Sequence, residues 1–398
     1  MHLCLQFSSF HQNTNCPITT CSMAASTASA RDQAISYLSD PRFSQELTLP
    51  ATADNPALTV SYADVGFSPE SPADSRSTPT MLFIPGMFGS RYIGAILDPI
   101  ARKLGVRVLV ADRPGMGHST EVPFSLRLST WVRTVPLLLE HLGIKHVALV
   151  SHSAGTIYLL NTLHHHREIL HPDQPFVALL APWVDPAHSK VTSMQMMQYI
   201  PAQAFSVWHH IAPLLATSGV VINKASSVIS SSTGSGKDTP QERNRQRLAV
   251  EYDVSRDFQI ELGSLLGKRI MKENTVGANS EALLCARKGK GWSWGECDDY
   301  ATFVETLATA ERQKHQMDSG TESHGKLKIR AYFAENDVMV GVGGQKYMDD
   351  CWGREEGSFS DVLDFDSATI ADTDHDSLVL SVDILEKVFA DAGGSLAR

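Results

Sequence analysis

The sequence predicts an α/β protein in which a mostly parallel central sheet is covered by helices on both faces. Two observations predict it. Short apolar runs rich in β-branched residues recur along the chain, and most of them end in turn residues. Patterns with apolar residues at helical spacing separate these runs, a rhythm that favours parallel strands joined by helices. The predicted strands are Thr80–Ile84, Val108–Ala111, Val147–Val150, Phe176–Leu180, Ile329–Phe333 and Val362–Phe365.

Helices are predicted from apolar spacing and, in some cases, from a residue that ends the pattern. Ser90–Leu104 has apolar residues at helical spacing, and Gly105 is a suitable stop. Trp131–Leu142 is a second helix, and Pro136 inside it predicts a kink or a late start. A final helical run spans Leu378–Phe389.

The most informative segment joins the strand Val147–Val150 to the helical pattern that follows it. It reads Ser-His-Ser-Ala-Gly over residues 151–155, which places Ser153 at the apex of a sharp strand-to-helix turn. A strained apex pushes its hydroxyl out of the top of the sheet, so its neighbours must be small. Ser151, Ala154 and Gly155 meet this requirement, and Ser151 replaces the first glycine of the usual G-x-S-x-G pattern.

Four further motifs lie beside predicted strands. Pro85-Gly86-Met87 follows the strand Thr80–Ile84, and a D-R-P-G-x-G-x-S turn at residues 112–119 follows the next one. Asp337 lies in the loop after Ile329–Phe333, and His375 precedes the final helix. Together with the Ser153 turn, these motifs resemble the α/β-hydrolase family over roughly residues 58–185 and 326–394. The resemblance implies the α/β-hydrolase fold with a mainly helical inserted cap.

The same resemblance implies a role for each matching residue. Ser153 takes the position of the nucleophile, Asp337 that of the acid and His375 that of the base, in the chain order of the family. The backbone N–H groups of Met87 and Ala154 take the positions of the oxyanion-hole donors. Pro85 stands where the family commonly has histidine, which removes a side chain and keeps the Met87 donor.

Two other carboxylates compete with Asp337 for the role of the acid. Asp185 follows the strand after the nucleophile, a position that some members of the family use instead. Glu335 lies in the same loop as Asp337. The aspartates that flank His375 are poor candidates because residues so close in sequence rarely orient their neighbour's ring. Asp337 is the preferred acid and Asp185 the alternative.

Chemistry explains what such a set of residues does. A serine hydroxyl attacks a carbonyl only when an imidazole removes its proton, and a carboxylate holds that imidazole in the required tautomer. The resulting hypothesis is a serine hydrolase that acts on an ester, thioester or lactone of a mainly apolar small molecule, without a cofactor. The alternatives are a carbon–carbon bond hydrolase or lyase on the same triad, and a non-hydrolysing ligand-binding member of the fold. Serine at position 153 argues against epoxide hydrolases and dehalogenases of this fold, which use aspartate there.

The predicted organisation is one core interrupted by a long insertion. Residues 1–30 form a disordered tail, residues 31–185 and 326–398 form the core, and residues 186–325 form the cap. Met194, Met196, Met197 and Trp208 predict an adaptable apolar surface on this cap. The Ser/Gly/Lys-rich stretch 226–246 lacks periodicity and predicts a mobile loop.

Composition excludes several classes of partner. The formal net charge of −10 disfavours nucleic acids and anionic membrane surfaces, and no apolar run is long enough to predict membrane insertion. The scattered cysteines do not predict a disulfide framework, so a soluble cytoplasmic protein is expected. Adjacent side chains of His164-His165-His166 point to different sides of a helix, so we expect a solvated face and no metal site.

Overall fold

The computed structural model describes residues 28–53, 56–68, 78–210, 239–317, 325–353 and 359–395. Of the tail predicted for residues 1–30, all but the last three residues lie outside these ranges. The first described helix begins at Ala30, where the Ser29 hydroxyl accepts a hydrogen bond from Asp32 N–H as its N-cap.

An eight-stranded sheet runs through the described residues in the order β1-β2-β4-β3-β5-β6-β7-β8. The β1–β2 and β2–β4 pairs are antiparallel, and all other pairs are parallel. The predicted mostly parallel sheet is therefore confirmed. The strands are β1 (Gln45–Leu49), β2 (Leu58–Gly66), β3 (Thr80–Ile84), β4 (Arg107–Ala111), β5 (Ala148–His152), β6 (Phe176–Leu180), β7 (Leu327–Ala334) and β8 (Leu363–Ile370).

The six predicted strands are all present, whereas β1 and β2 were not predicted. β1 is an edge strand with only Leu49 fully buried, so it lacks the continuous apolar run of the central strands. β8 extends to Ile370, five residues beyond its prediction, because it pairs with β7 along the whole length of both strands.

Helices cover both faces of this sheet. One hydrophobic cluster includes residues of α3, α4, α10 and α11, and the other includes residues of α1, α2, α8 and α12. The helices are α1 (Ala30–Leu38), α2 (Gly94–Lys103), α3 (Arg127–His141), α4 (Gly155–His165), α5 (Pro186–Ser189), α6 (Thr192–Met197), α7 (Pro240–Glu251), α8 (Arg256–Lys272), α9 (Gly277–Cys285), α10 (Tyr300–Met317), α11 (Gly341–Trp352) and α12 (Val382–Asp391).

α3 corrects one sequence-based prediction. It begins at Arg127, four residues before the predicted start, and continues through Pro136. The prediction of a late start at Pro136 is therefore wrong. The residues before it contribute buried side chains, including Thr130, Trp131 and Val135, and this packing stabilises the helix on both sides of the proline.

The chain between β6 and β7, residues 186–325, contains α5 to α10 and is called the insertion below. The mobile loop predicted for residues 226–246 is wrong in its last part, because α7 begins at Pro240 with Thr239 as its N-cap. No residue of α7 is fully buried, so its sequence carries no apolar period. Residues 226–238 lie outside the described residues. Within the described part of the chain, no helix combines the length and apolarity that a membrane span requires.

Candidate active site

Ser153 lies at the junction of β5 and α4, in the sharp turn that the sequence predicted. Its φ of 51° is in the left-handed region that side chains rarely adopt. Ser153 N–H donates to Leu180 C=O at 3.0 Å, which ties the turn to β6. A Cβ at Gly155 would lie 2.2 Å from the Ile84 carbonyl oxygen, so only glycine allows α4 to start so close to β3.

The structure brings the side chains of Ser153, His375 and Asp337 into one hydrogen-bonded chain. His375 Nε2 lies 2.7 Å from Ser153 Oγ, and His375 Nδ1 lies 2.8 Å from Asp337 Oδ2. Asp337 follows β7 and His375 follows β8, so adjacent parallel strands deliver both groups to the same edge of the sheet. The other Asp337 oxygen, Oδ1, accepts hydrogen bonds from Met339 N–H and Val340 N–H, both at 2.8 Å.

Burial and charge act in opposite directions on both ionisable groups. Burial alone would lower the pKa of His375, but the hydrogen bond and charge of Asp337 outweigh it, so this pKa is raised. Burial alone would raise the pKa of Asp337, but the hydrogen bond and charge of His375, with the two backbone donors, lower it. The pair therefore favours an ionised carboxylate beside an imidazole that binds protons well.

The loop after β3 passes beside Ser153. A Cβ at Gly86 would lie 3.1 Å from Ser153 Cβ, and Gly89 N–H closes a turn by donating to Gly86 C=O at 2.8 Å. Met87 lies inside this turn, and Ala154 is the residue next to Ser153 on the other side. Among the residues that the structure describes, no acceptor takes the backbone N–H of Met87 or Ala154. Both N–H groups are thus available to a ligand oxygen.

Comparison with known proteins agrees with this architecture. The family model described as "alpha/beta hydrolase fold" matches residues 79–188, from the start of β3 into α5. Over this segment the chain matches the α/β-hydrolase fold family. Its fold is shared with MGS-M2, an alpha/beta hydrolase enzyme from a Medee basin deep-sea metagenome library, at 14% identity and a TM-score of 0.50. That match covers 88% of this chain and 99% of the other.

A second solved structure with this fold is a Vigna radiata epoxide hydrolase mutant. It matches at 13% identity and a TM-score of 0.50, over 88% of this chain and 98% of the other. Identities this low show the fold of this chain and not its reaction. The search of curated proteins gave no significant match.

His152 is a neighbour of the site that the sequence motifs did not single out. Its Nε2 lies 2.9 Å from the His375 carbonyl oxygen, so it donates a hydrogen bond to the His375 backbone. Burial and the charge of His375 lower the pKa of His152 to about 4. His152 is therefore neutral near pH 7 and supports the loop that carries His375. In the sequence, the only indication of this role is the position of His152 between Ser151 and Ser153 in the turn motif.

The alternative acids have other partners in the structure. The Asp185 carboxylate lies 2.8 Å from Arg287 and accepts a hydrogen bond from Ala187 N–H at the start of α5. Glu335 accepts a hydrogen bond from Asp372 N–H at 2.9 Å. Of the three acids considered from the sequence, Asp337 is the one hydrogen-bonded to His375.

The histidine-rich helix end contacts a carboxylate that the sequence did not indicate. His164 and His165 lie 3.7 Å and 3.6 Å from the two oxygens of Glu296 in the insertion. In the described ranges, the one group with metal-ligand spacing is His152, His375 and Asp376. Both ring nitrogens of His375 already contact Ser153 and Asp337, so these residues do not fit a metal.

Proposed function

We propose that this protein is a serine hydrolase that cleaves an ester, thioester or lactone of a mainly apolar small molecule through an acyl-enzyme on Ser153. The observation that carries the proposal is the continuous hydrogen-bonded chain from Asp337 through His375 to Ser153. Each side chain in it is almost fully buried, so the chain of contacts is held in place before a substrate binds.

In the proposed mechanism, His375 Nε2 removes the proton from Ser153 Oγ as the oxygen attacks the substrate carbonyl carbon. The carbonyl oxygen becomes an oxyanion that accepts hydrogen bonds from the N–H groups of Met87 and Ala154. His375 then gives its proton to the leaving alcohol or thiol, and the acyl group remains on Ser153. A water molecule, deprotonated by His375, attacks this acyl-enzyme. The bond between the acyl carbon and Ser153 Oγ then breaks, the acid leaves, and His375 returns the proton to Ser153 Oγ.

Asp337 has an electrostatic and an orienting role in this sequence of steps. Its Oδ2 accepts the Nδ1–H of His375, which leaves Nε2 free to accept the serine proton. The imidazolium that forms lies beside an ionised carboxylate whose pKa is lowered. Removing the carboxylate would therefore lose both the tautomer and the stabilising charge.

An apolar substrate is supported by the surface beside Met87. The buried side chains Phe205, Ala282 and Ala286 of the insertion form a small cluster, and Met87 and Met197 pack against it. Met194 is buried in the main core and Met196 is mostly exposed, so the methionines of the insertion do not share one role. A substrate bound at the Met87 N–H would thus meet an apolar wall supplied by the insertion.

Serine at position 153 also separates this proposal from epoxide hydrolysis. Epoxide hydrolases of this fold use an aspartate as the nucleophile, and this chain has no carboxylate at that position. The shared fold with the Vigna radiata enzyme therefore does not extend to its reaction.

A fluorophosphonate probe tests the proposal. The wild-type protein should be labelled on Ser153, and Ser153→Ala should lose the label and at least about 10³-fold of the turnover of nitrophenyl esters. Ser151→Ala is the matched control, because Ser151 is buried two residues away and its hydroxyl has no hydrogen-bond partner among the described residues. Full labelling of Ser153→Ala would overturn the assignment.

A further inference from the structure

We propose that Arg113 is a positioning residue that fixes the direction of the Met87 N–H, and that Glu281 of the insertion holds Arg113 in place for this purpose. The inference rests on the proposed function, because it assigns a purpose to an oxyanion donor. It concerns contacts between the insertion and the loop after β3, which lie outside the hydrogen-bonded chain of Ser153, His375 and Asp337.

Arg113 contacts the backbone on which the donor lies. Its side chain is almost fully buried, and its Nη2 donates to the Gly86 carbonyl oxygen at 2.8 Å. Its Nη1 donates to the Pro85 carbonyl oxygen. The planar guanidinium therefore anchors two consecutive peptide groups of the loop, as its rigid fork of donors allows.

The geometry of a trans peptide carries this anchoring to Met87. The Gly86 C=O and the Met87 N–H belong to the same planar peptide unit, in which the two bonds point in opposite directions. The part of the chain that the structure describes contains no cis peptide bonds, so this unit is trans. Fixing the Gly86 oxygen on Arg113 therefore fixes the Met87 N–H on the opposite side. Gly89 N–H also donates to this oxygen, but it moves with the same turn and gives no external anchor.

Glu281 on α9 determines where the guanidinium lies. Its two oxygens are each 2.7 Å from Arg113, one from Nε and one from Nη2, and all of these side-chain atoms are buried. Arg127 Nη2 and the Tyr158 hydroxyl also donate to Glu281, at 2.8 Å and 2.9 Å. Burial would raise the pKa of Glu281, but the charges of the two arginines lower it, so the carboxylate is ionised.

α9 belongs to the insertion, and backbone hydrogen bonds join it to the core. These bonds hold Glu281 in place relative to the turn that contains Arg113. Gly277 N–H donates to Gly115 C=O at 2.9 Å, and Gly117 N–H donates to Asn274 C=O at 2.8 Å. A Cβ at Gly277 would lie 2.5 Å from the Pro114 carbonyl oxygen. The insertion thus contacts the same turn that contains Arg113. Through Arg113, it is linked to the oxyanion donor.

The test compares Arg113→Met with Arg127→Met. Each variant removes one buried positive charge from the same network and leaves Glu281 paired with the other arginine, so both should fold. Arg113 contacts the loop carbonyls, whereas Arg127 contacts Glu281 and Tyr158. We expect Arg113→Met to lower kcat about 10- to 100-fold with little change in KM, as expected for a misplaced transition-state donor. Arg127→Met should keep kcat within about threefold.

Binding of an alkyl boronic acid provides a second readout that does not depend on turnover. Its tetrahedral adduct on Ser153 places an oxygen in the oxyanion hole, so Arg113→Met should weaken it by a factor similar to the loss in kcat. The inference is wrong if both variants change kcat and boronate affinity equally, or if neither changes them. If wild-type protein neither reacts with fluorophosphonate nor binds boronate at Ser153, the proposed function fails first, and the inference fails with it.

Discussion

Asp337 differs from its rivals in the number and direction of its hydrogen bonds. One oxygen contacts the His375 ring and the other accepts two backbone N–H groups, so the carboxylate cannot rotate without losing three bonds. Asp185 has its own set of partners at the start of α5. The carboxylate that is hydrogen-bonded to His375 therefore differs from the other candidates in its surroundings as well as in its distance.

This difference predicts unequal effects of two conservative substitutions. Asp337→Asn should lower kcat by about 10⁴-fold, because the amide would stabilise the wrong tautomer of His375 and remove the charge beside it. Asp185→Asn should stay within about tenfold of wild type, because it loses only the ion pair with Arg287. Steady-state kinetics on one nitrophenyl ester measures both. A larger loss in Asp185→Asn would assign the acid to the loop after β6.

The raised pKa of His375 predicts the acid side of the pH profile. In the proposed mechanism His375 acts as a base only when neutral, so kcat/KM should rise with pH through a pKa above the ordinary histidine value of about 6.5. In Asp337→Asn the carboxylate no longer offsets burial, so the residual activity should rise at lower pH than in wild type. A profile of kcat/KM from pH 5 to 9 for both proteins tests this. An unchanged midpoint would contradict it.

Short motifs predicted the three side chains that the structure brings together, because each has a fixed place beside a strand of this fold. The contacts around them were not predictable in the same way. Arg113 and Glu281 are 168 residues apart, and nothing in either local sequence indicates the other. His152 supports the His375 loop across 223 residues. Such pairs depend on tertiary packing, which a single sequence does not display.

At the scale of elements, the insertion supplies a helix cap that the core lacks. α12 has no side-chain cap from its own Ser381. Instead, Asn244 of α7 accepts a hydrogen bond from Val382 N–H at 2.8 Å and donates to Leu380 C=O at 3.0 Å. A residue of the insertion thus caps the last helix of the core from outside. The sequence predicted α12 but gave no indication of this cap, which comes from 138 residues away.

Removing this cap should reduce the stability of the protein. Asn244→Ala should lower the free energy of unfolding by about 1 kcal/mol, as for the loss of other N-caps. Gln246→Ala is the matched control, because Gln246 is exposed on the same helix and should change the stability by less than about 0.5 kcal/mol. Chemical denaturation of the two variants and wild type measures the difference. Equal midpoints for all three would show that Asn244 does not cap α12.

For the whole molecule, the sequence was sufficient for the central strands and for the layered arrangement. Runs such as Phe176–Leu180 are buried at every position, which is the pattern that predicted them. The edge strand β1 has exposed and half-buried residues, so its sequence does not differ from that of a loop. The insertion was predicted by its length, but α7 was not predicted, because none of its side chains is fully buried and its sequence shows no apolar period.

The apolar wall beside Met87 predicts how the complete enzyme should respond to its substrate. In a series of nitrophenyl esters from acetyl to octanoyl, kcat/KM should rise until the space is filled. Each buried methylene contributes about 0.8 kcal/mol, or about fourfold in kcat/KM. Activity in the Ser153→Ala variant serves as the background. A flat series would contradict an apolar acyl pocket and favour a polar substrate.

The wide separation of Ser153 and His375 along the chain also has a consequence in time. The ribosome makes Ser153 222 residues before His375, an interval of roughly 10–45 s at ordinary rates of translation. During this interval β6, β7 and β8 are still being made, and Ser153 has no imidazole beside it. Under the proposed function, newly made chains therefore carry an inert hydroxyl, and reactivity begins only after His375 is made and β7 and β8 join the sheet.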